Sequence, residues 1–161
     1  MTSVPFDKWC VEVDPQFRRL FQSRVVRWYR RVGRDLPWRL SVSPYQVAIS
    51  EILLQQTQVA FVLPVFQVFV RRWPRVEDPY RAALADVKGL TDPLGYHVRG
   101  LWLKALARIV VEKYGGGMPT SIAELRELPG LGPYAAAAVY VFGHRRRAAL
   151  LDTNYRACSH S

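Results

Sequence analysis

A carboxylate at position 51 is a candidate for acid–base chemistry because of the residues around it. The apolar spacing predicts a helix over residues 45–60, and on that helix Glu51 shares a face with Val47 and Leu54. An apolar face disfavours the charged form, so we expect burial to raise the pKa of the Glu51 carboxyl and keep it protonated near neutral pH. A general acid needs that protonated state. The alternative is that Glu51 lies at the edge of the apolar stripe, half solvated and without a chemical role.

A second carboxylate, Asp152, follows the apolar residues 148–151 and precedes Thr153 and Asn154. An aspartate in front of a helical turn most often caps the N-terminus of that helix. A carboxylate held at such a position could also face a developing positive charge. Glu51 and Asp152 are therefore the two candidate groups for chemistry, and each has a purely structural alternative.

Two further segments have compositions that suit nucleic acid. Residues 128–132 read Leu-Pro-Gly-Leu-Gly, in which glycines permit backbone angles closed to other residues and expose amides that can approach a phosphate. The same pattern also forms an ordinary tight corner between two helices. Residues 55–58 read Gln-Gln-Thr-Gln inside an otherwise apolar helix, and side-chain amides can contact the edges of bases.

The charge balance indicates the same class of partner. The 161-residue chain carries 23 Lys and Arg against 13 Asp and Glu, a formal net charge of +10. An excess of this size favours a polyanion such as nucleic acid, because neutralised phosphates release their counterions. The alternative is that the charge serves solubility alone.

Composition excludes several classes of protein. Hydrophobic residues make up 50% of the chain and aromatic residues 12%, so it can bury a core and is not a disordered basic tail. No uncharged apolar run reaches the length of about 18 residues that a membrane span needs. Two cysteines, Cys10 and Cys158, and an N-terminus without a signal-peptide pattern favour an intracellular, reducing setting. They also fall short of the ligands of a structural zinc or iron–sulfur site, so we expect no metal.

Helices must position these candidate residues. The apolar spacing is helical almost throughout and predicts an all-α domain. The first predicted helix covers residues 15–32, and a loop follows over residues 33–44. The remaining predicted helices cover residues 45–60, 63–73, 79–88 and 98–114, one that opens at a capping box formed by Ser121 and Glu124, and residues 133–142.

Five segments occur in an order and at intervals that resemble the adenine DNA glycosylases of the helix-hairpin-helix base-excision-repair superfamily. They are LPWR at 36–39, SEILLQQTQV at 50–59, LGY at 94–96, LPGLGPY at 128–134 and LDTN at 151–154. The resemblance covers about residues 15–155 and implies an all-α fold, the six-helix barrel core that carries the hairpin motif. It also implies a monofunctional enzyme that flips adenine, mispaired with 8-oxoguanine or guanine, out of double-stranded DNA and hydrolyses its N-glycosidic bond.

The resemblance assigns a role to each matching residue. Glu51 matches the acid that protonates the adenine ring, Asp152 the carboxylate that stabilises the oxocarbenium-like sugar, and Tyr134 a tyrosine that supports this catalytic site. Bifunctional relatives carry a lysine at the position of Tyr134, so no strand-nicking step is expected. The residues that match the family's base pocket are Trp38, Arg39, Leu54, Val59 and Asn154. Those that match its DNA contacts are Gln55, Gln56, Thr57, Leu94, Tyr96, Leu128, Gly130 and Gly132.

The sequence leaves other functions open. Thr153 stands where the adenine enzymes usually have glycine, and His97 where they often have tyrosine. The thymine and uracil glycosylases that act on G·T mismatches share Tyr134 and are the nearest alternative, although residues 55–57 are of the adenine type. From other classes, the chain could be a non-catalytic DNA-binding module or a basic scaffold for protein interactions.

The end of the chain departs most from the family pattern. Residues 155–161 are out of register, and neither the four-cysteine iron–sulfur loop nor the 8-oxoguanine-reading domain follows, so we expect a truncated or frameshifted product, or a fragment, without that cofactor. The predicted organisation is an extension over 1–14, a helix over 15–32 that would pack on the missing C-terminal helices, the glycosylase core over 33–154, and an atypical tail. We expect a cytoplasmic monomer, with swapping or association through the uncovered helix as the alternative.

Overall fold

The structure is a computed structural model and describes residues 14–40 and 43–150, with the backbone alone for Leu40. The chain divides into two units, residues 1–35 and residues 36–161. All regular secondary structure in the described ranges is helical, which confirms the predicted all-α class. None of the helices in these ranges combines the length and the apolar character needed to cross a membrane.

The first unit is built on helix α1, Pro15–Val32. Asp14 caps its N-terminus by accepting a hydrogen bond from the Gln16 amide at 3.0 Å. Proline at the first helical position suits this start, because an amide there would have no partner in the helix. The apolar side chains have the predicted helical spacing and are exposed, Trp28 by 63%. Which surface covers this apolar face stays a prediction.

In the second unit the described helices enclose one hydrophobic core. They are α2 (Pro37–Leu40), α3 (Pro44–Leu54), α4 (Val59–Arg72), α5 (Glu77–Arg81), α6 (Leu84–Thr91), α7 (Arg99–Tyr114), α8 (Ile122–Arg126) and α9 (Pro133–Ala138). A 3₁₀ helix, Asp92–Leu94, follows α6, and a π-helical segment, Val139–Gly143, continues α9. Helix α3 lies at the centre, because it packs against α2, α4, α7, α9 and the π-helical segment. Its residues Ile49, Ile52 and Leu53 are completely buried.

The prediction of one continuous helix over residues 45–60 is wrong at residues 55–58, which separate two helices. Helix α3 ends at Leu54, Gln55 leaves the helical conformation at φ −58° and ψ 123°, and Gln56 lies in the left-handed region at φ +54°. The polar residues 55–58 cannot be buried as a further turn of a core helix, so the chain turns there instead. Helix α4 then begins at Val59 rather than at residue 63 and carries Pro64 on its exposed side.

Two other predicted boundaries are also wrong. The segment predicted as one helix over 79–88 forms α5 and α6, separated by extended backbone at Ala82 and Ala83. The ammonium of Lys104 stabilises this break by donating to the carbonyls of Pro79, at 2.9 Å, Tyr80 and Ala82. The predicted loop over 33–44 contains the single helical turn of α2.

The predictions that rest on signals within a few residues of sequence are confirmed. Ser121 caps α8, since its hydroxyl oxygen accepts the Glu124 amide at 3.3 Å and its hydroxyl donates to the Glu124 carboxylate at 2.6 Å. Gly115, in the left-handed region at φ +63°, ends α7 where the run of glycines predicted it. The helix predicted over 133–142 is α-helical as far as Ala138 and continues as the π-helical segment.

Candidate functional site

The polar residues 55–58 form a turn between α3 and α4, here called the 55–58 turn. Its middle is closed by the Thr57 amide, which donates to the Leu54 carbonyl at 3.2 Å. The Thr57 hydroxyl is 3.3 Å from the Gln55 carbonyl and 3.5 Å from the Leu94 carbonyl. Gln56 has a backbone conformation that costs a residue with a side chain about 1–2 kcal/mol. The turn therefore needs support from the surrounding structure.

Part of that support comes from residues 128–132, here called the hairpin, which joins α8 to α9. The Gln55 side-chain amide donates to the Gly130 carbonyl at 2.7 Å. Gly130 lies at φ +81°, and a Cβ atom there would stand 3.1 Å from the Ile52 side chain and 3.2 Å from Trp102 Cβ. The backbone angle therefore favours glycine at 130, and the close neighbours would have to shift by a few tenths of an ångström to admit a Cβ. The structure brings the two predicted DNA-contact segments into direct contact.

The third predicted segment, residues 94–96, forms a corner beside the 55–58 turn. The 3₁₀ helix ends there at Gly95, which is left-handed at φ +92°. Tyr96 is half-buried and packs edge-on against the Trp102 ring, with 5.5 Å between the ring centroids. One region of the second unit therefore contains five of the predicted DNA-contact residues: Gln55, Thr57, Leu94, Tyr96 and Gly130.

Arg99, the first residue of α7, is not among the predicted site residues, although its side chain links the parts of this region. It is completely buried, and its Nε donates to the Ile52 carbonyl at 3.3 Å. Its Nη2 donates to the Gln55 carbonyl and to the Thr57 hydroxyl oxygen. The guanidinium also lies over the Tyr96 ring, 5.4 Å from its centroid. Burial lowers the pKa of Arg99, whereas the neighbouring Tyr96 acts to raise it.

A signal for Arg99 was present in the sequence. Arg99 shares a helical face with Leu103, Leu106 and Val110, at i+4, i+7 and i+11, and these three are buried. An arginine that falls on an apolar stripe must find several acceptors, because an unpaired buried charge is costly. The spacing could therefore have marked Arg99 as a buried side chain, but not which carbonyls it binds.

The candidate acid, Glu51, is half-buried on α3 and lies one turn before the 55–58 turn. Its neighbours Ser50 and Ile52 are completely buried. Leu54 ends α3, Val59 begins α4, and both are half-buried at the two ends of the turn. These positions place Glu51 and two of the predicted base-pocket residues around the same turn.

The other predicted site residues are distributed differently. Tyr134 follows the hairpin as the second residue of α9 and is 38% exposed. Trp38 is buried in the core, where its ring packs edge-on against Phe66 with centroids 5.0 Å apart, whereas Arg39 is exposed. In the hairpin, Leu128 is buried and Gly132 is exposed. Asp152 and Asn154 lie outside the described residues, so the pairing of Glu51 with Asp152 stays a prediction.

The resemblance also implies an iron–sulfur cluster, and the chain's own residues do not fit it. Such a cluster takes about four cysteine thiolates, whereas the sequence contains two cysteines.

Comparison with known proteins gives a consistent result. The family model for HhH-GPD superfamily base excision DNA repair proteins matches residues 49–160. The chain is 40% identical over 140 residues to an adenine DNA glycosylase of Mycobacterium tuberculosis, covering 86% of this chain and 46% of that protein. It is 35% identical over 136 residues to a thymine/uracil-DNA glycosylase of Pyrobaculum aerophilum, covering 83% of this chain and 59% of that one.

A solved structure is similar over the same region. The structure of a thermostable thymine-DNA glycosylase superposes with a TM-score of 0.78 at 32% identity, covering 85% of this chain and 64% of that chain. The chain spans about half the length of the Mycobacterium tuberculosis relative. The matches therefore concern the part of these proteins that holds the 55–58 turn and the hairpin.

Proposed function

The chain belongs to the HhH-GPD superfamily of base excision DNA repair proteins, and from that premise we propose that it is a glycosylase that removes adenine mispaired with 8-oxoguanine or guanine. The proposal rests on one observation. Glu51 lies one helical turn before the 55–58 turn, in which Gln55 is hydrogen-bonded to Gly130 of the hairpin. The candidate acid Glu51, the 55–58 turn and the hairpin thus lie in one region, which supports the proposal. The 40% identity to an adenine DNA glycosylase supports adenine as the base.

The proposed reaction uses two carboxyl groups in different states. Glu51, in its protonated form, donates its proton to a ring nitrogen of the extruded adenine. The bond between the base and the sugar then breaks, and its electron pair leaves with the base. Asp152 stabilises the positive charge that develops on the sugar. Water then adds to the anomeric carbon and releases a proton that restores the acid form of Glu51, which leaves an abasic site and free adenine. This division of roles follows the two-carboxyl logic of glycosidic cleavage.

Recognition of the duplex is assigned to the surrounding segments. Backbone amides of the hairpin, in which Gly132 is the exposed residue, bind backbone phosphate, and the excess of positive charge strengthens this contact at low salt. The 55–58 turn and Tyr96 enter the stack as the adenine leaves it, which compensates part of the cost of unstacking. Tyr134, exposed at the start of α9, supports the site on the side of the hairpin.

A substitution at Glu51 tests the catalytic part of the proposal. The protein is incubated with a duplex that carries adenine opposite 8-oxoguanine, and abasic sites are read by alkaline strand cleavage. We expect Glu51→Gln to lower the single-turnover rate by at least about 100-fold, because a positioned general acid contributes that much or more. Duplex affinity should be unchanged. The matched control is Glu127→Gln, which alters an exposed carboxylate that pairs with Lys113.

The outcome separates the enzyme from a binding module. If wild-type protein at stoichiometric concentration gives no abasic product, the catalytic proposal fails. A chain that only binds DNA would give no abasic product with either Glu51 or Gln at position 51, and would lose its affinity for the duplex in Gly130→Ala. A scaffold for protein interactions would show no salt-dependent binding to duplex DNA at all.

Thymine is the second candidate base, and a specific observation favours it. A thymine-DNA glycosylase superposes with a TM-score of 0.78 at 32% identity. The same assay with a G·T duplex distinguishes the two proposals. Faster release of thymine from G·T than of adenine opposite 8-oxoguanine would replace the first proposal with the second.

A further inference from the structure

We propose that Arg99 is a positioning residue that holds the 55–58 turn in the shape with which Gln56 enters the duplex. The inference rests on the proposed function, because it concerns how the same site handles DNA. It assigns Arg99 no contact with the reacting atoms. Its action is on the backbone of the turn and on the last turn of α3.

The hydrogen bonds of Arg99 converge on a short stretch of chain. Its donors reach the carbonyls of Ile52 and Gln55 and the hydroxyl of Thr57. Carbonyls at the C-terminal end of a helix lack partners within that helix and attract positive charge. The guanidinium is a rigid fork that can bind several acceptors at once, whereas an ammonium is a single point charge. Arg99 thus fixes the end of α3 and the turn that follows it as one unit.

This arrangement is not the simplest way to stabilise a core. Arg99 is completely buried, and its Nη1 atom has no hydrogen-bond partner in the part of the chain that the structure describes. A buried guanidinium with an unused donor is costly, and an apolar side chain of similar size would often be at least as stable. What Arg99 provides, in place of added stability, is the geometry of the 55–58 turn.

Gln56 is the residue that depends most on this support. It lies between the two residues that Arg99 binds and is held in the left-handed region at φ +54°. Its side chain is exposed, and no hydrogen bond engages it among the residues described. With the carbonyl before it and the hydroxyl after it both bound, the backbone of Gln56 is held in this left-handed conformation while the residue stays exposed. Without Arg99 the turn would relax toward backbone angles that a glutamine prefers.

The test compares Arg99→Gln and Arg99→Lys with a matched control on the same helix. Arg108→Gln removes the same charge from an exposed position of α7. The first measurement is hydrogen exchange of the peptide that contains the Thr57 amide, in the protein without DNA. We expect exchange at this amide to become about 10- to 100-fold faster in Arg99→Gln, since hydrogen bonds to a charged group are lost. Arg99→Lys should lie between wild type and Arg99→Gln, and Arg108→Gln should match wild type.

The second measurement reports the entry of the turn into the duplex. The substrate carries 2-aminopurine in place of adenine opposite 8-oxoguanine, and every protein also carries Glu51→Gln so that no base is removed. Unstacking of 2-aminopurine raises its fluorescence. We expect this rise to fall about tenfold in Arg99→Gln at saturating protein and to be partly restored in Arg99→Lys, because a tenfold change corresponds to one well-formed charged hydrogen bond. Duplex affinity, set by phosphate contacts, should change less than about threefold.

The possible outcomes separate the role of Arg99 in the turn from the role of Gln56 in DNA. If Arg99→Gln keeps both the slow exchange and the fluorescence rise, the inference is overturned. If Arg99→Gln and Arg99→Lys both lose cooperative thermal unfolding, Arg99 is a general structural residue and the inference is likewise overturned. If the protein that carries Glu51→Gln alone gives no fluorescence rise while Arg99→Gln still accelerates exchange, the role of Gln56 in DNA and the proposed function fail. The hold of Arg99 on the turn is supported in that case.

Discussion

The 55–58 turn and the hairpin at 128–132 both pass through a left-handed residue, but they reach it by different means. Gly130, at φ +81°, has no side chain that opposes this conformation. Gln56, at φ +54°, does have one, and the residues on both sides of it are bound by Arg99. The hairpin is specified by its own residue, whereas the turn is specified by a side chain 44 positions away from Gln55. A corner of the second kind can be reshaped without any change in its own sequence.

The largest expected effect comes from removing the glycine of the hairpin. Gly130→Ala places a Cβ atom in the left-handed region and 3.1 Å from the Ile52 side chain, so strain and overpacking add. We expect the free energy of unfolding to fall by about 2–4 kcal/mol, measured by urea denaturation. Gly132→Ala is the matched control, because Gly132 has an ordinary φ of −71° and nothing within 4 Å of its Cβ position. Equal stability of the two variants would contradict the account of the hairpin.

A smaller effect is expected at the bond that joins the two corners. Gln55→Glu replaces the amide that donates to the Gly130 carbonyl with a carboxylate, which cannot donate and repels the carbonyl oxygen. We expect a loss of about 1–3 kcal/mol in the free energy of unfolding, because the part-buried carbonyl also loses its partner. Gln67→Glu makes the same chemical change at an exposed position of α4 and should alter stability by less than about 0.5 kcal/mol. If the two variants are alike, the corners are not coupled through Gln55.

The smallest effect is expected from substitution of Gln56 itself, the left-handed residue of the 55–58 turn. Gln56→Gly gives the 55–58 turn the residue type that the hairpin already has, so backbone strain is relieved while chain entropy is lost on folding. We expect a net gain of up to about 1 kcal/mol in the free energy of unfolding. Gln56→Ala removes the same side chain but keeps a Cβ, and should give no gain. A loss of stability in Gln56→Gly would show that the left-handed angle at this position is not strained.

The same contrast explains what sequence could and could not predict. The cap at Ser121, the stop at Gly115 and the glycine corner at Gly130 depend on nearby residues, and each was predictable because its signal lies within a few positions. The end of α3 at Leu54 and the break between α5 and α6 were not predicted. These boundaries are stabilised by Arg99 and by Lys104, which contribute from α7. Local spacing contains no information about such distant partners.

The candidate site shows a similar division. Its segments could be identified from sequence because each has a distinctive composition, and the structure places residues 55–57, 94–96 and 130 in one region. The buried state of Trp38 was not foreseen, since an aromatic residue before an arginine gives no indication of its contact with Phe66. The position of Asp152 relative to Glu51 stays a prediction, because it lies outside the described residues.

The hydrogen bond between Gln55 and Gly130 has a consequence for how the protein is made. Its partners are separated by 75 positions in the chain. At ribosomal rates of about 5–20 residues per second, the first partner waits about 4–15 s for the second to be synthesised. The 55–58 turn has neither partner until Arg99 is synthesised, and it lacks Gly130 until the end of the interval. Its polar residues remain hydrated meanwhile. The region that would recognise DNA is therefore assembled only after most of the helical core has emerged, and a nascent chain without the hairpin cannot present it.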